Sequence, residues 1–242
     1  MTASTKSVYD ICRNWAMKQQ HGFVTPSEFN SFIRNAQNEV FKELISLFRF
    51  ALSDRNRFIQ YSRGNYGGFE NIKDDLRPCL VESEDLIFDE GTFVLPEDYA
   101  YYLSAYYENF EIDIVDKHEL SKLQNAYHGK PTFEFPVGSI DRDGIKVLPS
   151  VIVQGVRVYY YKYPQGIDAD GNPVAQSPTY ATTTVGDVSV FDPANSIDFE
   201  LGQATEYKLA QKVLGYIGIN LREQDLMQWS AYKKQEDNEQ EK

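Results

Sequence analysis

Residues 25–52 read TPSEFNSFIRNAQNEVFKELISLFRFAL, and this stretch decides that the chain is built around one long helix. Thr25 stands at the N-cap, Pro26 occupies the first helical position, where its missing N–H costs nothing, and Glu28 completes a Thr-x-x-Glu capping box. Phe29, Phe32, Ile33, Ala36, Val40, Leu44, Leu47, Phe48 and Ala51 recur at steps of three and four and form one apolar stripe, with Asn30, Arg34, Asn38 and Lys42 elsewhere. At 1.5 Å per residue the helix is a strut about 40 Å long. Its stripe requires a partner surface, and the economical partner is the core of the domain itself.

On either side of the strut lie further helical patterns. Val8, Ile11, Cys12, Trp15 and Ala16 place an amphipathic helix over residues 5–20, ended by His21-Gly22. Near the other end, Glu206, Leu209, Ala210, Val213, Leu214 and Ile217 form a helix stopped at Gly218, and Leu226, Trp229 and Tyr232 a second that begins near Leu221. The final KKQEDNEQEK has no apolar residue and is expected to fray. Between strut and C-terminal helices the apolar period shifts towards 2. Strands are expected at 86–88, 92–95, 99–107, 111–115, 132–135, 145–148, 156–163 and 188–191, with a short helix over 117–126 capped by Asp116. Strict alternation would put Tyr99, Tyr101 and Tyr107 on one side of their strand and Tyr102 and Tyr106 on the other; Tyr160 opposes Tyr159, Tyr161 and Tyr163. Tyrosines on both faces imply cover on both faces. Residues 164–186, rich in Pro, Gly, Ala and Thr, read as a long exposed arm.

The expected architecture is therefore α+β. A helical layer from the N- and C-terminal helices combines with an antiparallel sheet or sandwich. The expected divisions are a helical segment over 1–77, a β-rich domain over 78–192 carrying the arm at 164–186, and C-terminal helices over 193–242.

Charge is distributed unevenly along a chain of net −12. Residues 1–77 carry eleven Lys and Arg against eight acids, whereas residues 78–116 carry eleven acids and no Lys or Arg. That balance argues against a protein whose task is to grip phosphates, though not against one that lets a nucleic acid slide past. Basic and aromatic residues alternate after the strut, with Arg55, Arg57 and Arg63 among Phe58, Tyr61, Tyr66 and Phe69 around Gly64, Gly67 and Gly68, a glycine-rich loop that reads as nucleic-acid contact, as a mobile loop or as a subunit contact. The acidic run, Glu82, Glu84, Asp85, Asp89 and Glu90 foremost, needs water or an opposite charge to relieve its repulsion. It either lines a channel or meets a basic surface such as the Arg55–Arg63 loop of a neighbour, and the second is favoured because the N-terminal segment is the net-positive part of the chain. Tyr102, Tyr106, Tyr159 and Tyr161 join these acids and arginines as candidates for a partly wet interface.

No catalytic signature stands out. His21, His118 and His128 have no recurrent metal spacing, and Cys12 and Cys79 stand apart without a Cys-x-x-Cys pattern. Ser230-Ala-Tyr-Lys233 lacks the motifs that accompany Ser-x-x-Lys in its enzymes. Asp141-x-Asp143-Gly144 and Asp168-x-Asp170-Gly171 resemble calcium loops but carry Ser150 and Ser177 where a bidentate Glu is required, so the first reads as a hairpin turn and the second as a loop tip. No catalytic residue, cofactor or metal is expected. No run is apolar enough to span a membrane, and the opening MTASTKSVYD lacks a secretory apolar segment, so assembly in a cytoplasm is expected.

Several blocks together carry a family resemblance. They are the helix from Thr25 to Leu44, Leu95-Pro-Glu-Asp-Tyr99, Pro131-Thr-Phe-Glu-Phe-Pro136, Lys146-Val-Leu-Pro149 through Tyr163-Pro164, and Ser196-Ile-Asp-Phe-Glu-Leu201 leading into GQATEYKLAQKVLGYIGINLREQDLMQW. The chain resembles virion structural proteins of tailed bacteriophages, more narrowly the head-tail connector or tail-adaptor ring proteins of short-tailed, crAss-like phages. The resemblance implies a non-enzymatic virion protein assembled in the host cytoplasm. It would form a homo-oligomeric ring, a dodecamer, between the portal protein and other connector or tail rings, around double-stranded DNA that passes without tight binding during genome ejection. The arm at 164–186 is the expected contact with a neighbouring ring. A different class, a carbohydrate-binding or carbohydrate-cleaving β domain, would use the Tyr-rich strands and acidic loops.

Overall fold

The computed structural model describes residues 2–18, 24–58, 66–142, 144–185 and 188–218, and the fold is α+β. The chain divides into two compact units, Met1–Pro78 together with Pro164–Lys242, and Cys79–Tyr163.

The first unit opens with α1 (Thr5–Lys18), α2 (Pro26–Phe58) and α3 (Tyr66–Leu76). The capping box at the start of α2 is formed. The Thr25 N–H and hydroxyl both donate to Glu28 Oε2, at 3.0 and 2.8 Å, and the Glu28 N–H returns to Thr25 Oγ1 at 3.3 Å. These bonds hold the Glu28 carboxyl below its ordinary range. Phe29, Ile33, Ala36, Val40, Leu44 and Phe48 are buried as the stripe requires. Two corrections apply. Leu47 is 48% exposed, while Phe41 and Ile45, outside the expected stripe, are buried because α2 is covered on more than one side. The helix also runs to Phe58 rather than ending at Leu52, and α3 occupies part of what reads in sequence as a glycine-rich loop.

The second unit contains β1 (Leu80–Glu82), β2 (Phe88–Asp89), β3 (Thr92–Phe93), β4 (Tyr99–Tyr107), β5 (Phe110–Glu111), β6 (Asp113–Ile114), α4 (Lys117–Asn125), β7 (Val137–Asp141), β8 (Gly144–Leu148) and β9 (Val156–Lys162). One sheet has the order β1-β9-β4-β5 and the other β2-β3-β8-β7-β6, antiparallel except for the β6–β7 pair. Both sheets contribute to one core, in which Ala105, Val156 and Val158 from the first meet Phe93, Ile145 and Val147 from the second. Asp141 and Gly144 close the β7–β8 hairpin, as the Asp-rich turn implies. Gly144 has φ +139, and a Cβ there would lie 2.1 Å from the Phe93 carbonyl oxygen, so only glycine lets β3 approach β8. The segment 132–135 is not a strand. With Pro131 and Pro136 on its flanks it closes into a turn, the Phe135 N–H reaching Thr132 Oγ1 at 3.2 Å. Asp116 is the N-cap residue of α4, but its side chain makes no capping hydrogen bond.

The chain then returns to the first unit through β10 (Gly166–Ile167), β11 (Pro173–Val174), β12 (Thr182–Val185), β13 (Val188–Phe191), β14 (Asp198–Phe199) and α5 (Glu206–Ile217). This corrects the expected division at 192, since residues 164–192 belong with the helices rather than the β-rich unit. It also corrects the exposed arm. Gln37 Nε2 donates to the Gln165 carbonyl at 2.9 Å and the Gln165 N–H donates to Glu200 at 2.7 Å, while Gly166 and Ile167 are buried in the sheet β11-β10-β14. Asn30 clasps Tyr180 by both backbone groups, at 3.0 and 2.9 Å, and the Tyr180 ring stacks on Tyr9 at 4.2 Å. Asp168 forms the expected loop tip by accepting from the Asp170 and Asn172 N–H groups. α5 packs on α1 and α2. It places Tyr216 over Phe32, rings 5.6 Å apart, with the Tyr216 hydroxyl on Glu39 at 2.5 Å and Lys212 paired with both Glu39 and Glu43. The start of α1 is capped from far along the chain. The Thr5 N–H reaches Asp198 at 2.7 Å, and the Ser4 N–H and Ser7 hydroxyl reach Glu206 at 3.0 and 2.8 Å. The expected second C-terminal helix lies outside the described residues.

Candidate interaction surfaces

Two surfaces carry the charged and aromatic candidates or the unpaired backbone on which an interaction could be built. The first is the face of the sheet β1-β9-β4-β5 turned away from the core of the second unit. Register shifts between Tyr99 and Tyr101 and between Tyr102 and Ser104 interrupt the alternation of β4. Tyr99, Tyr102 and Tyr107 consequently pack on the core, and the expected grouping of Tyr99 with Tyr101 does not hold. Burial raises the Tyr102 hydroxyl above its ordinary value, and Tyr160 is raised by burial and by donating to Asp98 at 2.7 Å. Tyr161 is buried and raised by the same cause.

On the opposite face Tyr106 meets Tyr159 edge to face at 5.6 Å. Beside them Arg157 contacts Glu82 at 3.1 Å and Asp85 at 3.9 Å, and donates to the Glu108 carbonyl at 3.3 Å. The Glu82 carboxylate beside the Tyr159 hydroxyl raises its pKa. Four of the expected interface residues, Glu82, Asp85, Tyr106 and Tyr159, thus converge on one arginine that sequence reasoning missed. The acidic run has no basic neighbour in sequence, but β9 supplies one across the ladder. Glu84 is exposed beside this cluster, and Asp89 and Glu90 lie at the tip of the β2–β3 hairpin, where Glu90 adopts φ +44 and Gly91 φ +92. The side chains of Arg55 and Arg57, in α2, and all of Arg63 lie outside the described residues.

No protein-family model matches the chain, and no curated protein matches it by sequence. The reading of its role rests on its own residues.

The second surface belongs to the first unit. β12 and β13 form a separate two-stranded ribbon. Its turn signal is present in the sequence, where Gly186-Asp187 lies between two β-branched runs, but the preceding Pro-, Gly- and Ala-rich stretch masks it. Thr182 and Ser189 face a shallow groove of about 700 Å³ at the start of α2, which Ser27, Asn30 and Ser31 also line. The groove is open and hydroxyl-lined, and among the described residues no cluster of His, Cys, Asp and Glu could hold a metal ion there or elsewhere. Cys12, whose thiol burial pushes up to about 12, and Cys79 are both buried and unbridged, unsuited to nucleophilic work. No described helix is long and apolar enough to cross a membrane.

Proposed function

We propose that the chain is a structural subunit that works in a homo-oligomeric ring, of the head-tail connector or tail-adaptor kind that its sequence blocks resemble. The observation that carries this reading is the apolar surface left uncovered on the second unit. Ile87 is 75% exposed, Phe135 74%, Val151 72% and Tyr127 91%. Large apolar side chains exposed to this degree on an 85-residue unit, Cys79–Tyr163, are ones that a ring neighbour would cover. The long α2, packed with α5 and closed by the Tyr216–Glu39–Lys212 cluster, supplies the stiffness a ring wall needs. The second unit carries fifteen acidic and seven basic residues. In a ring, that excess would keep DNA phosphates from adhering to any part of this unit that faces the channel. Portal and tail rings are the partners this reading assigns.

Electron microscopy of the purified full chain, alone and mixed with the portal protein, tests the proposal. Rings with a central channel, or a ring stacked on the portal, are expected. A chain that remains monomeric and does not bind the portal overturns it.

A further inference from the structure

The β12–β13 ribbon is exposed on both faces and carries Val185 and Val190 on the outer one. Register pairs Thr182 with Phe191 and Thr184 with Ser189, so these four share one face, while Thr183, Val185 and Val190 share the other. Phe191 identifies the inward face, since its ring packs on Tyr180 at 5.0 Å with Lys6 above it at 5.4 Å. Thr182 and Ser189 therefore face the open groove at the start of α2 and remain exposed, while the valines face water on the other side, Val185 65% and Val190 45% exposed. A finished surface strand shows the opposite alternation.

Its edges are open as well. The Asp192 N–H donates to the Ala181 carbonyl at 3.0 Å, which makes that the hydrogen-bonded pair. Alternation then directs the N–H and C=O groups of Thr182 and Thr184 out along one edge, and those of Ser189 and Phe191 out along the other. These outward groups have no hydrogen-bond partner among the described residues. Native edge strands are usually guarded by charge, proline or a bulge, and the strands TTTV and VSVF have none.

We infer that this hairpin is the junction between neighbouring copies of the chain, the β12 edge of one copy pairing with the β13 edge of the next. Three observations select a second copy as the occupant. Both edges are four residues long and uncharged, so they match one another in length and chemistry. A chain of net −12 meets its own copy with least repulsion where neither side carries a charge. Copies related by rotation keep β12 pointing in one sense, so each new β12 lies antiparallel to the β13 it joins, and a closed ring leaves no edge unpaired. The inference deepens the ring reading above and rests on it for closure. A single junction of this size is small, and closure makes the last contact intramolecular.

The test uses the full chain. Thr183→Cys and Val190→Cys variants are prepared separately, mixed and oxidised, and the buried Cys12 and Cys79 do not compete. Mixed dimers, cross-linked between position 183 of one variant and position 190 of the other, are expected, with neither variant linking to itself. Val190→Lys, at an exposed position, should leave the far-UV spectrum and unfolding midpoint unchanged while weakening self-association at least about tenfold, and Thr183→Lys should do the same. Self-linked Thr183→Cys dimers would overturn the edge-to-edge order. Rings that assemble equally well with Val190→Lys, without mixed cross-links, would reject the hairpin junction and leave the ring reading standing. A wild-type chain that neither self-associates nor binds the portal would reject both.

Discussion

Two antiparallel ladders of this molecule, β4–β9 and β12–β13, are built from similar β-formers and end in opposite states. In β4–β9 the inner face buries Ala105, Val156 and Val158, and the outer face is balanced by Arg157 between Glu82 and Asp85. In β12–β13 the threonines of both faces, Val185 and Val190 are exposed, and both edges end without partners among the described residues. A ladder completed by its own unit shows its requirements in contacts already made. A ladder completed by something else shows them in contacts still open.

The largest effect expected on the completed side is at Gly144. Gly144→Ala must push β8 away from the Phe93 carbonyl and hold an L-residue at φ +139, at a cost above about 3 kcal/mol, measured by urea unfolding. A loss below about 1 kcal/mol would show that β3 and β8 can separate freely, and that this ladder is less completed than its packing indicates. The direct comparison is one substitution at two valines. Val158→Thr buries a hydroxyl where Val158 is fully buried and should cost about 1–3 kcal/mol, whereas Val190→Thr should stay within about 0.5 kcal/mol in the monomer. Equal costs would erase the distinction between the ladders.

Smaller effects come from the charged groups. Arg157→Met removes the balance on the outer face of β4–β9 and should cost at most about 1 kcal/mol at low salt, less as salt rises, because the partners are substantially exposed. In the first unit, Glu39 is held below its ordinary 4.5, chiefly by the Tyr216 hydroxyl. A depressed carboxyl stabilises the fold above its unfolded value, and that contribution is lost as pH falls through the folded value. Tyr216→Phe should therefore lower the urea midpoint at pH 7 and have less effect at pH 3; a gap of equal size at pH 3 would show that the hydroxyl contributes independently of the Glu39 charge. The smallest change is at the β2–β3 tip, where Glu90→Asn should stabilise by a few tenths of a kcal/mol because asparagine tolerates φ +44 better.

What could be read without the structure follows one rule of distance along the chain. The Thr25–Glu28 box, the span of β4, the Asp141–Gly144 turn and the Asp168 loop tip are set by groups within a few residues of each other, so their residue types announce them. Hydrophobic period likewise marked most of the α2 stripe. It failed at Leu47, Phe41 and Ile45, because period alone does not say how many neighbours a helix has. The β12–β13 hairpin had a local signal that the composition around it obscured.

By itself, the sequence determined the start of α2, the span of β4 and the turns at Asp141–Gly144 and Asp168, because those choices rest on backbone geometry and hydrogen bonds between near neighbours. Only the tertiary structure decided which face of β4 is inside, since two register shifts reset the alternation. It alone brought Arg157 to the acidic run 75 residues away from Glu82, pinned Gln165 with Gln37 and Glu200, and capped α1 with Asp198, 193 residues from Thr5. Such partners are chosen by packing that brings distant segments together. A buried N–H or a crowded carboxylate sets a requirement for a partner without specifying where in the chain that partner will be found.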